Sequence, residues 1–375
     1  MTKATSSLSG SVIFAYIVVY LVWGSTFFFI EKALRSFPPF VLGSIRFIIA
    51  GSLLMGYCYL KGYKLYAKAA VKDALFVGFL LLFIDMSAII WSEQYISSAI
   101  VTIIAAATAI WFVLLDKPKW KENFSSPSTV IGLIFGFIGV FLLFAEQLFA
   151  PQAGEVDPGM KMIAMGVLLL GTIGWTIGSL LSKYGRERKN LDAEQEKEED
   201  LHVMVKTAWQ MVCAGITFTT VASLNGEYAR FDMASVSLQD WGAILYLATM
   251  GSILAFGSYI WLLQHRPATE VSTHAYINPI VALILAHYFT AHQVTSLQII
   301  GLLVVLSSVL LMNWKLYSNN KKWKAVKRAK RIKRTRELAP KSSIPRIMEL
   351  FDVNQKHEKT KPSEQKEQEL LQSDS

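Results

Sequence analysis

Stretches of about 20 residues with almost no charge recur along this chain and leave it few folds to choose from. At 1.5 Å per residue, about 20 helical residues cross the roughly 30 Å hydrocarbon core of a bilayer. Hydrocarbon offers no hydrogen-bond partner, so a crossing segment must close its own backbone bonds as a helix or join a closed barrel. A barrel strand alternates polar and apolar residues, and a run such as Gly78 to Ile84 does not alternate. The stretches fall at 11–30, 39–60, 73–91, 96–115, 128–145, 161–182, 203–223, 241–263, 270–290 and 296–314. The reading is an all-α membrane protein with ten transmembrane helices.

Composition supports this through where the charges lie. The chain is 53% hydrophobic and 17% charged, against about 25% charged in a soluble domain. Its net charge of +9 could point to nucleic acid. However, residues 315–336 alone hold eleven Lys or Arg and no acid, so the excess belongs to one segment. With Trp323 and Val326 interleaved, that segment reads as a basic helix lying on an anionic lipid surface, each cation contributing on the order of 1 kcal/mol. No nucleic-acid partner is expected. The two cysteines, Cys58 and Cys213, sit in apolar stretches and match neither a disulfide framework nor a metal spacing. No cofactor or metal is expected. The first apolar run, Val12 to Ile30, is too long for a signal peptide and lacks a small-residue cleavage site, so it reads as the first span.

Orientation follows the bias of Lys and Arg toward the cytoplasm. With the N-terminus inside, the loops 61–72, 116–127, 183–206 and 264–269 carry 14 Lys plus Arg, and the opposite side carries four. Both termini are therefore expected in the cytoplasm of a cell whose inner, plasma membrane holds the chain. The halves also echo each other. Ile131-Gly132-Leu133 is followed by Val140, and Ile300-Gly301-Leu302 is followed by Val309 at the same spacing, while Trp23 and Trp175 sit at like depths. Five helices per half is odd, so the second copy enters from the opposite face. That is the inverted-repeat plan of secondary transporters, with a site near the midplane between the halves. The expected organisation is an N-terminus 1–10, a first repeat 11–148, a second repeat 161–314 with a linker at 183–202, a basic segment 315–339 and a disordered tail 340–375.

Several motifs resemble a known family. Trp23-Gly24-Ser25-Thr26, Phe37-Pro38-Pro39-Phe40 and Arg46-Phe47 with Ala50-Gly51 resemble the opening of EamA-type permeases of the drug/metabolite transporter superfamily. In the second half Gly174-Trp175-Thr176-Ile177-Gly178-Ser179, Gly251-Ser252 with Gly257, and Tyr276-Ile277-Asn278-Pro279 continue the resemblance. It implies ten helices, cytoplasmic termini, and export or exchange of small metabolites or drugs through a central cavity. Two places depart from the family pattern. Ala291-His292 stands where the family has a Gly-Glu pair, and Thr108 to Trp111 stands where its fourth span often carries a proline.

Candidate site residues each have a structural alternative. Ionisable groups inside a bilayer are costly unless they face a partner, a bundle interior or water. Arg46 could bind an anionic group, but it reads first as a structural tie between helices. Asp85, mid-span, could carry a proton during exchange or simply bond a neighbouring hydroxyl. Glu93 reads as solvated or capping. Pro279 cannot donate to the Ala275 carbonyl, so it is the expected break or hinge, with His274, Tyr276 and Asn278 around it. His274 is a candidate proton relay, while His287 and His292 read as interfacial. Trp23, Trp91, Trp175 and Tyr259 serve either as interface and packing aromatics or as cavity walls. The resemblance favours the cavity for Trp23, Trp175 and Tyr259. Ser25, Thr26, Thr108 and Ser179 complete the expected substrate-binding set, and Gly24, Gly174, Gly178, Gly251 and Gly257 read as points of close helix contact.

The functional expectation is a secondary permease working by alternating access, with a small-molecule substrate, the lipid bilayer and optionally a second copy of the chain as partners. The cavity is expected between spans one, three, four, six, eight and nine. The competing readings are a membrane-embedded enzyme, and a channel or non-transporting scaffold. Against the enzyme, the chain shows no His-x-x-His, paired-Asp or phosphate-cradling Gly motif.

Overall fold

A computed structural model describes residues 10–96, 98–149, 157–185, 201–289, 295–312 and 314. The segment 315–336, the tail 340–375, most of the linker at 183–202 and His292 lie outside the described residues. Among the described residues every regular element is helical. We number them α1 (Gly10–Ala33), α2 (Pro39–Leu60), α3 (Lys68–Ser92), α4 (Ser98–Ala105), α5 (Thr108–Leu115), α6 (Trp120–Phe124) and α7 (Pro127–Phe149) in the first half. The second half holds α8 (Pro158–Tyr184), α9 (Val203–Leu224), α10 (Glu227–Arg230), α11 (Leu238–His265), α12 (Ala268–Val271), α13 (His274–Phe289) and α14 (Ser296–Met312).

Five of these, α1, α2, α3, α8 and α11, are long and apolar enough to cross a membrane, and shorter apolar helices accompany them. Local sequence explains several boundaries. Pro39 and Pro158 occupy the first helical turn, where a missing N–H costs nothing. Asp157 and Ser237 cap α8 and α11 by accepting from Gly159 N at 3.1 Å and Asp240 N at 3.2 Å.

Two helices depart from the expected spans. The stretch 96–115 is split into α4 and α5 by a turn at Ala106–Ala107, without a proline. The stretch 270–290 is split at Ser272–Thr273, upstream of Pro279, and α13 continues through the proline. The expected break at Pro279 is corrected in that respect. Three consecutive side chains bond back at the split. Ser272 Oγ donates to Thr269 O, Thr273 Oγ1 to Glu270 O, and His274 Nδ1 meets Val271 O at 2.8 Å. Such back-bonding competes with helical N–H partners for the carbonyls and accompanies the break there.

Two further helices contain a wider turn. Phe79–Ile84 within α3 and Leu247–Phe256 within α11 are π-helical, a form that inserts a residue into the α-helical register and often marks functional sites.

Packing joins the two sequence halves closely. α2 runs along α9 and α7 along α14; α1 packs on α11 and α13, and α8 packs on α3, α4 and α5. Glycines permit the close approach of α7 to α14 and α13, because a Cβ on Gly139 would lie 2.8 Å from Val305 N of α14, and one on Gly136 2.4 Å from Tyr276 Cε2 of α13 and 2.6 Å from Ser308 Oγ of α14. Gly24, Gly174, Gly178 and Gly251 likewise meet neighbouring helices, whereas Gly257 has open space beside it. Gly136→Ala should therefore lower the melting temperature of the detergent-solubilised chain, at an overpacking cost of about 1–3 kcal/mol. Gly166→Ala, where nothing lies within 4 Å, should stay neutral or gain up to about 1 kcal/mol from helix propensity.

Candidate functional site

A cavity of about 760 Å³, counted with its open mouth, lies among α1, α2, α3, α4, α5, α8, α11 and α13. Its walls are mostly apolar and aromatic, with Trp23, Phe27, Phe47, Trp175 and Phe256 among them. A few polar groups interrupt that surface, the usual make-up of a small-molecule site. The irregular backbone converges here. Asp85 follows the π-helical turns of α3, and Gly251 and Ser252 lie within those of α11. Thr108 opens α5 just after the first break, and His274, Ala275 and Asn278 open α13 just after the second.

Of the expected site residues, Trp23, Thr26, Asp85, Thr108, Trp175, His274 and Asn278 line this cavity. Trp23 is held by its Nε1 donating to Gly251 O at 3.1 Å, which turns its ring toward Trp175 at 5.3 Å, Tyr259 at 4.9 Å and His274 at 5.0 Å between centroids. Four helices thus meet in one aromatic cluster. Tyr259 stands behind it, fully buried, its hydroxyl bonded to Ser179 Oγ at 2.7 Å.

The other expected residues stand away from the cavity walls. Ser25 donates to Val22 O and shares a hydrogen bond with Tyr246. Ser179 donates to Trp175 O, behind the wall. Trp91 packs on Tyr95 with centroids 4.8 Å apart. Tyr276 points to the opposite side of α13, where its hydroxyl donates to Leu133 O at 3.1 Å. Helical rotation decides these positions: within α13, only residues sharing the His274 and Asn278 stripe face inward.

Arg46, expected first as a structural tie between helices, joins α2 to α11 and also borders the cavity. Only 4% exposed, it lines the cavity from α2, a helix not expected there. Its Nε donates to Ser252 Oγ at 2.9 Å and its guanidinium lies over the Phe47 ring, 5.0 Å from the centroid. Ser252 in turn donates to Leu247 O inside the π-helical segment. Thr102, Thr172 and Met86 also line the cavity. Arg46 is visible in the sequence as a lone mid-span charge. The others carry no such signal, because Ser, Thr and Met recur in most spans.

Polar contacts join the helices next to the cavity lining. Below the aromatic cluster, Tyr20 and Thr273 share a 2.6 Å hydrogen bond, Lys183 Nζ donates to the carbonyls of Leu263 and Arg266, and Tyr184 donates to Asp116 at 2.9 Å. Arg266 pairs with Glu270 beside them, its Nε 3.1 Å from Oε2.

The fold and site define a class: a multi-pass helical membrane protein with a partly open cavity bordered by helices from both halves of its sequence. Comparison with known proteins narrows it. The model of the EamA-like transporter family matches residues 10–145 and 162–314, and the chain belongs to that family. It is 26% identical over 307 residues to the uncharacterized inner membrane transporter YedA of Escherichia coli strain K12, covering 80% of this chain and 89% of that one. It is 24% identical to Protein PecM of Dickeya dadantii strain 3937, covering 82% and 94% respectively. A solved crystal structure shares the fold with a TM-score of 0.64 at 14% identity, covering 84% of this chain and all of the other.

The separation of wall from backing gives a prediction. Tyr259→Phe removes one buried hydrogen bond, while Ser179 keeps its Trp175 partner. It should cost about 1 kcal/mol of stability, read as a lower melting temperature, and leave cavity ligand affinity unchanged. Trp23→Ala should abolish that affinity.

Proposed function

We propose that this protein is a secondary transporter of the inner membrane that moves a small metabolite or drug-like molecule, in the direction of export, by alternating access between two inverted five-helix repeats. The observation that carries this reading is the cavity itself, built from both halves with its charged groups at membrane depth. Such groups are retained inside a bilayer where they act on a substrate or an ion.

The packing supports the repeat. Exchanging the halves maps α1 onto α8, α2 onto α9, α3 onto α11, α4–α5 onto α12–α13 and α7 onto α14. The contacts of α1 with α11 and α13 then become those of α8 with α3 and α4–α5, and the α2–α9 and α7–α14 pairs map onto themselves. The irregularities obey the same exchange: π-helical turns in α3 and α11, breaks in α4–α5 and α12–α13. With both termini cytoplasmic, the polar contacts of Lys183 and Arg266 lie on the inner side and serve as the gate there. Export then requires those polar contacts to part so that substrate can load from inside. The relatives named as inner membrane transporters support the same location and role.

Coupling to protons follows from Asp85. It lines the cavity with no ion pair or hydrogen bond to another described residue, so a proton or a substrate group can occupy it in turn. Reconstituted in proteoliposomes, the wild type should move substrate several-fold faster with an imposed pH gradient than without one. Asp85→Asn should show the same rate in both conditions. A gradient dependence that survives Asp85→Asn would remove this residue from the coupling step and shift attention to His274.

A further inference from the structure

The polar contacts of the inner side include one group that they leave unsatisfied. Asp116 stands just past the last residue of α5 and is 1% exposed. Its Oδ1 accepts from the Tyr184 hydroxyl at 2.9 Å, while its Oδ2 is buried with no hydrogen-bond partner among the described residues. An ionised carboxylate offers about four lone-pair sites, so one hydroxyl leaves most of that capacity unused. A buried acceptor without a partner costs free energy, and a charged one costs more. Burial pushes the Asp116 carboxyl above its ordinary range, and the Tyr184 hydrogen bond and the nearby charge of Lys183 pull it back.

Lys183 is the neighbour of that tyrosine on the last turn of α8. Its ammonium donates to the carbonyls of Leu263 and Arg266, where α11 ends and α12 is about to begin, and not to Asp116 Oδ2. A helix C-terminus presents open carbonyls and a partial negative charge, which favours a cation there. A hydrogen bond from an ammonium to a carboxylate is stronger still. The last turn of α8 thus stands between two acceptor sets, a weaker one in use on the second half of the sequence and a stronger one unused on the first. The other cations nearby are engaged, Lys119 by Glu122 at 3.0 Å and Arg266 by Glu270. The matching position on α1 differs. Lys183 lies eight residues after Trp175, and eight residues after Trp23 stands Glu31. An ionised carboxylate only accepts, so the arrangement belongs to the α8 end.

We propose that Lys183 is a two-position latch: with the inner end closed it holds the α11–α12 carbonyls, and as that end opens it passes to Asp116 Oδ2, tying α8 to α5. This deepens the transport reading and rests on it for the inner gate. Asp116 is then a positioning residue for the open state, acting through Lys183 and not on substrate. The exchange keeps the ammonium partnered in both states, whereas an unaided opening would strand it away from any acceptor. Each half of the sequence supplies one of the two anchors.

The test reads how often the inner end opens. Ala268, the first residue of α12, is 1% exposed and lies two residues past Arg266. In the full-length chain carrying Cys58→Ala and Cys213→Ala, Ala268→Cys should react with a membrane-impermeant maleimide added to inside-out vesicles, and only while the gate is open. Asp116→Asn should slow that reaction about tenfold, the usual effect of losing a charge-assisted hydrogen bond. Asp116→Glu should restore the rate. Asp116→Ser, which keeps an acceptor for Tyr184 without the charge, should repeat the slowing independently of the asparagine. With Lys183→Met in place, the same Asp116 variants should change the rate by less than about twofold, since the partner they act through is gone. Melting temperatures in detergent accompany each variant.

Three results overturn the proposal: Asp116→Asn reacting as fast as the parent chain, its slowing persisting in full beside Lys183→Met, or Tyr184→Phe alone reproducing that slowing, which would make the carboxylate only an anchor for the tyrosine. A lowered melting temperature with unchanged reaction rates would show a purely structural role and overturn it too. Each of these leaves the transporter reading standing. No reaction at Ala268→Cys in any background, with flux intact in proteoliposomes, would instead remove the inner gate from that reading and this latch with it.

Discussion

Lipid cannot hydrogen-bond, and that absence organises this molecule. Every polar group at membrane depth must find its partner inside the protein or face a cavity. Most of the chain obeys through unbroken helices with hydroxyls returned to their own carbonyls, as Thr207 does to Val203 and Thr219 to Gly215. Several departures from that rule lie together, although buried unpartnered groups such as the Glu93 carboxylate and Gln210 Oε1 stand elsewhere. The π-helical turns of α3 and α11, the breaks before α5 and α13, and the partner-poor Arg46 and Asp85 all border one cavity. Irregular backbone is tolerated at membrane depth only where it is buried in protein or lines such a space.

The second break shows how local chemistry sets this geometry. Ser272, Thr273 and His274 each return a side chain to the turn before, which satisfies three carbonyls and releases the chain to start a new helix. The new axis brings His274 and Asn278 to the cavity, and it sets Thr273 against Tyr20 of α1. Pro279 then sits inside a helix already in its new direction. The sequence reading chose the proline because its missing N–H is the strongest single helix-breaking signal. Three adjacent back-bonding side chains are a weaker signal one residue at a time, but together they mark the break.

Packing turns these local features into a site with two faces. The aromatic cluster of Trp23, Trp175, Tyr259 and His274 draws on α1, α8, α11 and α13 and floors the cavity. The polar contacts of Lys183, Tyr184 and Arg266 tie neighbouring helices together nearby. Aromatic rings hold shape in a cavity because they have few rotatable bonds.

By itself the sequence determined that this chain is helical and lives in a membrane, because apolar length and the lack of hydrogen-bonding solvent leave no other outcome. It located the apolar helices to within a few residues, since charges and prolines mark their ends. It also marked Asp85 and Arg46 as unusual, because a lone charge in an apolar run is costly unless it meets a partner, a bundle interior or water. Only the tertiary structure decided which side of each helix faces inward. That choice kept Trp23, Asp85 and Asn278 in the cavity and left Trp91, Ser179 and Tyr276 outside it. It also tied Arg46 to a serine on α11 and set Asp85 beside a glycine on α8, both distant in the chain. A hydropathy pattern records how much of a helix is apolar, whereas a site depends on which neighbours its few polar atoms meet, and the chain supplies those only when it folds.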